Sequence, residues 1–136
     1  MFSDFSPLGE YGAEASPNVK LFPLSDSGFI SSLKGCRAFI STAGNQALGE
    51  AIYLGKPVLC FPEPNAFEQD VNGQALEATG AGIVVPLSGL DAAKIERFLT
   101  NLDLYRARIT AYLHDRPDFN ATYQVVDIVN KVLETS

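Results

Sequence analysis

The sequence is poor in the residues that build metal sites, disulfides and histidine-based catalysis. Among 136 residues there are two cysteines, one histidine and no tryptophan. Cys36 and Cys60 lack the paired spacing of a zinc ligand set, and each stands among apolar neighbours, so buried free thiols are expected. His114 is the single histidine, so the chain has few residues that could form a zinc site or a proton relay centred on histidine.

Positive charge is also scarce, and long apolar runs are absent. The ten basic residues are scattered and are outnumbered by 16 acidic ones, which gives a net charge of −6. Nucleic-acid surfaces need concentrated positive charge, so no nucleic-acid partner is expected. No apolar run is long enough to cross a bilayer, and the N-terminus does not resemble a secretory leader. A cytoplasmic chain is therefore predicted.

The chain does contain a repeat of short apolar runs and amphipathic segments. Strands are predicted at NVKLF (18–22), RAFIS (37–41), PVLCF (57–61) and GIVV (82–85), and helices at 25–35, 45–55, 65–80, 91–113 and 119–134. Apolar strands that alternate with helices indicate a doubly wound, Rossmann-like α/β fold, with a parallel sheet flanked by helices. We expect one domain over residues 1–136, in which residues 1–17 are irregular.

Three polar loops follow the first three predicted strands, at the sheet edge where such folds bind ligands. They are PLSDS (23–27), STAG (41–44) and PEPNAFEQ (62–69). Each opens a helix, and the free N–H groups and positive dipole end of a helix suit a diphosphate. Ser41 and Thr42 could donate hydroxyl hydrogen bonds, and Gly44 would let the backbone approach a ligand. The alternative for STAG is an ordinary turn between a strand and a helix.

Two glutamates are candidate ligands for hydroxyl groups. Glu50 lies six residues after Gly44, and its side chain should lean back toward the loop, where it could bind the paired hydroxyls of a ribose. The alternative is a solvated helix residue. Asn65 and Glu68 have the spacing of a capping box, so Glu68 and its neighbour Gln69 either cap a helix or face a ligand.

Taken together, these segments resemble the donor-binding half of a GT-B glycosyltransferase. The resemblance covers NVKLFPL, CRAFISTAG, Glu50, LGKPVLCFPEPNAFEQDVNG and ATGAGIVV, between Asn18 and Val85. It is closest to bacterial and archaeal UDP-glycosyltransferase relatives with an S-T/N-A-G loop and an F-E-Q motif. It implies a partial GT-B C-terminal domain that binds a UDP-sugar as donor substrate, without a cofactor or a metal. Thr42 stands where many eukaryotic members carry a histidine, so phosphate binding would depend more on the helix dipole.

The resemblance also implies a role for each candidate residue. Phe22 and Leu24 would hold the base, Glu50 would bind the ribose, and Glu68 and Gln69 would face the donor sugar. The diphosphate would lie on the STAG loop and the start of the following helix, with Ser41, Thr42, Ala43, Gly44 and Asn45 as ligands.

An incomplete enzyme is a further implication. A GT-B enzyme has a second, acceptor-binding domain that usually supplies the catalytic base, and that domain would precede residue 1 or belong to a separate subunit. This chain alone should then be inactive, and its full-length protein could be peripheral to the inner membrane face. The strand at 37–41 would be an unpaired edge, which favours a homodimer. Alternatives are a non-catalytic subunit that docks on a separate acceptor subunit, and a fragment of a nucleotide-sugar 2-epimerase.

Overall fold

The computed structural model describes residues 17–20, 22–23, 25–117 and 122–135, without the side chains of Thr122 and Tyr123. The chain divides after Gly35 into two compact units. The elements in chain order are α1 (Asp26–Gly35), β1 (Phe39–Ser41), α2 (Asn45–Tyr53), β2 (Val58–Cys60), α3 (Phe67–Thr79), β3 (Gly82–Val84), a 3₁₀ turn (Leu87–Gly89), α4 (Ala92–Thr100), α5 (Leu102–His114) and α6 (Thr122–Glu134). The prediction of a single domain stays a prediction.

The first unit contains α1, which confirms the helix predicted at 25–35. The strand predicted at 18–22 is wrong for its described residues, because Asn18, Val19, Lys20 and Phe22 are exposed and form no strand. A strand needs a neighbour to pair with, and the sheet in the described part of the chain consists of β1, β2 and β3. The irregular segment predicted at 1–17 lies outside the described residues except for Pro17.

The second unit is built on a parallel sheet with the strand order β1-β2-β3. Ser41 pairs with Cys60, and Cys60 pairs with Val84, so the three strands end at one edge. Helix α2 connects β1 to β2, and α3 connects β2 to β3, as parallel neighbours require. The predicted Rossmann-like α/β fold is confirmed.

Helices cover both faces of this sheet. Successive strand residues point to opposite faces, and on one face Leu59 packs with the buried side chains of Phe98, Leu102 and Tyr105 from α4 and α5. On the other face Gly73 brings α3 close to β3, because a Cβ atom there would lie 3.1 Å from a methyl carbon of Val84. The core therefore lies in two layers on either side of β2.

The predicted helix at 91–113 is two helices, with the break at Asn101. The amide nitrogen of this side chain donates to the carbonyl of Arg97 (2.7 Å), and its backbone N–H donates to the carbonyl of Phe98 (3.1 Å). An asparagine that binds nearby backbone groups competes with the helical pattern. Apolar periodicity alone did not reveal this interruption.

The last helix, α6, falls within the predicted 119–134 segment. Its described side chains, from Gln124 onward, are all exposed, including Val125, Ile128 and Leu133. In the residues that the structure describes, no helix combines the length and apolar character that a membrane crossing requires.

Candidate functional site

The STAG loop lies where the sequence predicts it, at the carboxyl edge of the sheet. Strand β1 ends at Ser41 and α2 begins at Asn45. The carbonyl of Ser41 accepts a hydrogen bond from the N–H of Phe61 (2.9 Å), which fixes the start of the loop to the chain after β2. Thr42 is half-buried, whereas Gly44 and Asn45 are exposed. The loop is thus anchored on the sheet and presents its end to solvent.

Ala43 has the unusual backbone in this loop. Its φ of 78° lies in the left-handed region, and its side chain is fully buried. That conformation costs an L-residue about 1–2 kcal/mol, and backbone strain of this kind concentrates at functional sites. The sequence pointed instead to Gly44, whose φ of −64° any residue can adopt. Alanine carries no sequence signal for a left-handed turn.

Asn72, which sequence reasoning missed, holds this turn. Its side-chain nitrogen, on α3, donates to the carbonyl of Ala43 at 3.0 Å. The contact joins residues 29 positions apart, so no local pattern in the sequence could reveal it. It also shows that α3 and the STAG loop are adjacent in space.

The first turn of α2 offers unpaired backbone donors. Gly44 is its N-cap residue, and within the described residues no side chain caps it. The first intrahelical bond runs from the N–H of Leu48 to the carbonyl of Gly44, so the N–H groups of Asn45, Gln46 and Ala47 precede the helical pattern. An uncapped helix start with exposed residues is chemically suited to an anion.

Glu50 is half-buried on α2. Its carboxylate accepts a hydrogen bond from the side-chain nitrogen of Gln46 (3.2 Å), one turn toward the start of the helix. The side chain therefore leans toward the STAG loop, as the sequence predicts. Its role as a ligand stays a prediction.

The capping-box alternative for Asn65 and Glu68 is wrong. The N-cap of α3 is Ala66, which receives no side-chain cap, while Asn65 has a left-handed φ of 62°. The chain turns at this point, because the N–H of Ala66 donates to the carbonyl of Glu63 (3.2 Å). Asn65 is therefore part of a turn before the helix, and the exposed Glu68 does not reach back to cap it.

Gln69 holds the loop that precedes α3. Its side-chain oxygen accepts a hydrogen bond from the N–H of Glu63 at 2.8 Å. Beside this loop lies a cleft of about 340 Å³ at the carboxyl ends of β2 and β3, lined by Pro62, Glu63, Pro64, Asn65, Asp70, Val84, Pro86, Leu87 and Ser88. Gln69 shapes the loop that forms one wall of this cleft.

The two residues predicted to hold a base lie outside this second unit. Phe22 is 66% exposed in the first unit, where it lines a pocket with Pro23, Ser25, Gly28, Phe29 and Ser32. Leu24 lies outside the described residues. The structure brings together the STAG loop, α2 and α3, and the base-binding role of Phe22 and Leu24 stays a prediction.

The buried thiol of Cys60, at the end of β2, is expected to be unreactive. Both cysteines are free, and Cys60 is fully buried whereas Cys36 is half-buried. Burial, with a smaller effect from the charge of Glu77, raises the pKa of Cys60 to about 12. A neutral buried thiol is a weak nucleophile, so Cys60 is interpreted as a core residue and not as a catalytic one.

No three His, Cys, Asp or Glu side chains cluster as a metal site in the described ranges, and metal independence stays a prediction.

The chain matches a known protein family and named relatives. Residues 8–103 match the family described as Glycosyl transferase family 1. Two relatives carry the name UDP-N-acetylglucosamine--N-acetylmuramyl-(pentapeptide) pyrophosphoryl-undecaprenol N-acetylglucosamine transferase. The one from Caldicellulosiruptor saccharolyticus is 38% identical over 62% of this chain and 23% of its own length. The one from Gluconobacter oxydans is 32% identical over 76% of this chain and 30% of its own length.

A solved structure shares the fold. The crystal structure of the glycotransferase of kitacinnamycin has a TM-score of 0.72 at 17% identity, over 95% of this chain and 32% of that one. The chain thus spans 23% to 32% of the length of these three proteins.

Proposed function

Because the chain belongs to glycosyl transferase family 1, we propose that it forms the part of a glycosyltransferase that binds the nucleotide-sugar donor. The observation that carries this proposal is the uncapped start of α2, which follows a strained loop at the carboxyl edge of the sheet. The two relatives are named for UDP-N-acetylglucosamine. A UDP-sugar is therefore the proposed donor, and UDP-N-acetylglucosamine is the first to test.

The diphosphate of the donor binds at the first turn of α2. Backbone N–H groups from Asn45 onward and the hydroxyls of Ser41 and Thr42 donate to its oxygens, and the helix dipole favours its charge. When the bond to the sugar breaks, negative charge develops on the departing diphosphate. Donors that are already in position stabilise that charge without reorganisation.

Carboxylates and amides bind the hydroxyl groups of the donor. Glu50, which leans toward the STAG loop through its contact with Gln46, accepts hydrogen bonds from the ribose. Glu68 and Gln69 face the donor sugar from the start of α3. For Gln69 we assign the amide nitrogen to the sugar, because its oxygen is turned toward the N–H of Glu63. The chain spans 23% and 30% of the length of the two relatives, and none of its residues is proposed as the catalytic base or as an acceptor ligand.

A titration of the chain with UDP tests the proposal. In a titration followed by ¹⁵N NMR, UDP should shift the amide signals of Thr42, Gly44 and Asn45. The expected dissociation constant is about a millimolar, which corresponds to a binding free energy of about 4 kcal/mol. Unchanged spectra at several millimolar UDP would overturn the proposal for this chain.

Replacement of the candidate ribose ligand sharpens the test. Glu50→Gln exchanges a charged acceptor for a neutral one and should weaken UDP binding by about tenfold, as expected for the loss of a charge-assisted hydrogen bond. Glu96→Gln, at an exposed position on α4, is the matched control and should bind like the wild type. Equal affinity in the two variants would remove Glu50 from the site.

A further inference from the structure

The hydrogen bond between Asn72 and Ala43 crosses from α3 to the STAG loop. Ala43 is fully buried and left-handed, and its carbonyl accepts from the side-chain nitrogen of Asn72 at 3.0 Å. The partner is a carbonyl oxygen, so only a side chain with a donor can fill this position. Asn72 itself is half-buried, which protects the bond from competition with water.

We propose that Asn72 is a positioning residue for donor binding, an inference that rests on the function proposed above. Its hydrogen bond holds the Ala43 peptide in a conformation that alanine otherwise avoids. The dihedral angles at Ala43 set the direction of the next peptides, and those peptides lead into the first turn of α2. Asn72 thereby keeps the N–H groups of Gly44 and Asn45 aimed at the diphosphate.

The placement of Asn72 on α3 links the two ends of the proposed site. Asn72 lies four residues after Glu68, one turn along the same helix, so one rigid element carries the proposed sugar ligands and the residue that holds the phosphate loop. Helix α3 itself lies close to β3 at Gly73, where a Cβ atom would lie 3.1 Å from a methyl carbon of Val84. A shift of this helix would change sugar and phosphate contacts together.

The test uses Asn72→Leu, which keeps the size of the side chain and removes its donor. In the ligand-free chain, the amide signals of Gly44, Asn45 and Gln46 should move, while those of β3 stay in place. UDP affinity should fall by about fivefold, the range expected for one lost hydrogen bond. Gln74→Leu, at an exposed position of the same helix, is the control and should change neither quantity.

A second background separates positioning from general stability. Ala43→Gly makes a positive φ inexpensive, so in that background Asn72→Leu should cost less affinity than it does in the wild type. A purely structural role would give the same loss of affinity in both backgrounds. If Asn72→Leu does not fold, Asn72→Asp replaces it, because its carboxylate repels the Ala43 carbonyl while it preserves the shape of the side chain.

The two proposals fail in different ways. If folded Asn72 variants keep the wild-type loop signals and the wild-type UDP affinity, the positioning role is overturned. If the wild type does not bind UDP, the proposed function fails and the role of Asn72 in donor binding fails with it. In that case the ligand-free spectra of the variants still show whether Asn72 holds the loop.

Discussion

At Gly82, where β3 begins, the sheet leaves no room for a side chain. Gly82 pairs with Val58, and a Cβ atom built on it would lie 1.7 Å from the carbonyl oxygen of Val58. The obstacle is backbone of the central strand, which cannot rotate away as a flexible side chain would. Glycine is therefore required here by close approach and not by its φ angle.

Gly82→Ala should lower the free energy of unfolding by at least about 2 kcal/mol, because β2 and β3 must separate to admit the methyl group. Urea unfolding would show this as an earlier midpoint. Gly49→Ala is the control, since nothing lies within 4 Å of a Cβ atom at that position in α2, and it should stabilise the chain by about 0.5–1 kcal/mol. Equal midpoints for the two variants would contradict this account.

At the residue scale, the candidate loop could be predicted from the sequence, but the contact that shapes the loop could not. The lean of Glu50 toward the loop was predictable because helical geometry fixes it locally. The left-handed Ala43 and its bond to Asn72 were not, because they depend on packing between residues far apart in the chain. The capping-box alternative at Asn65 failed for a related reason. Asn65 adopts a turn conformation, so α3 begins only after it, with Ala66 as the N-cap.

At the scale of the element, α4 begins with a complete N-cap. The carboxylate of Asp91 accepts a hydrogen bond from the N–H of Lys94 (2.8 Å) and pairs with the ammonium of the same residue (3.1 Å). The backbone hydrogen bond is the main reason why the pKa of Asp91 lies below its ordinary value, and the Lys94 side chain adds to it. The charged form therefore stabilises the folded chain.

The N-cap predicts a specific pH dependence. A lowered pKa in the folded state means that the stabilisation is present above the unfolded value of about 3.8 and is lost as the pH falls through the folded value. Asp91→Ala should lower the melting temperature at neutral pH, and its difference from the wild type should shrink below about pH 4. Asp91→Asn, which can still cap without charge, should lie close to the wild type at neutral pH and lose less stability in acid. An identical acid response in Asp91→Asn and the wild type would contradict this assignment.

Helices were easier to predict from the sequence than strands. The helices at α1, α2 and α3 follow from local apolar periodicity and from their glycine ends, as at Gly80 with its φ of 75°. The segment at 18–22 has a strand pattern, but its described residues form no strand, because pairing depends on a neighbour that local sequence does not supply. The break at Asn101 depends on a single side chain that binds its own backbone.

At the scale of the whole molecule, the exposed edge of β1 bears on self-association. It is one of the two outer strands of the described sheet, and Ile40 at its centre is 43% exposed. The N–H of Phe39 bonds to Pro57, and the carbonyl of Ser41 accepts from Phe61, so these two residues face β2. The backbone groups of Ile40, which lies between them, point to the other side. An outer strand with this geometry is a template for pairing with a second chain.

The homodimer predicted from the sequence can be tested at this strand. The chain should associate as its concentration rises, and light scattering should show an increasing mean mass. Ile40→Pro removes the outward N–H without removing a bond to β2, so that variant should stay monomeric. Ile40→Thr keeps the backbone donor and serves as the control, which should associate like the wild type. A wild type that is strictly monomeric at high concentration, or an Ile40→Pro variant that associates equally well, would show that β1 does not pair with a second copy.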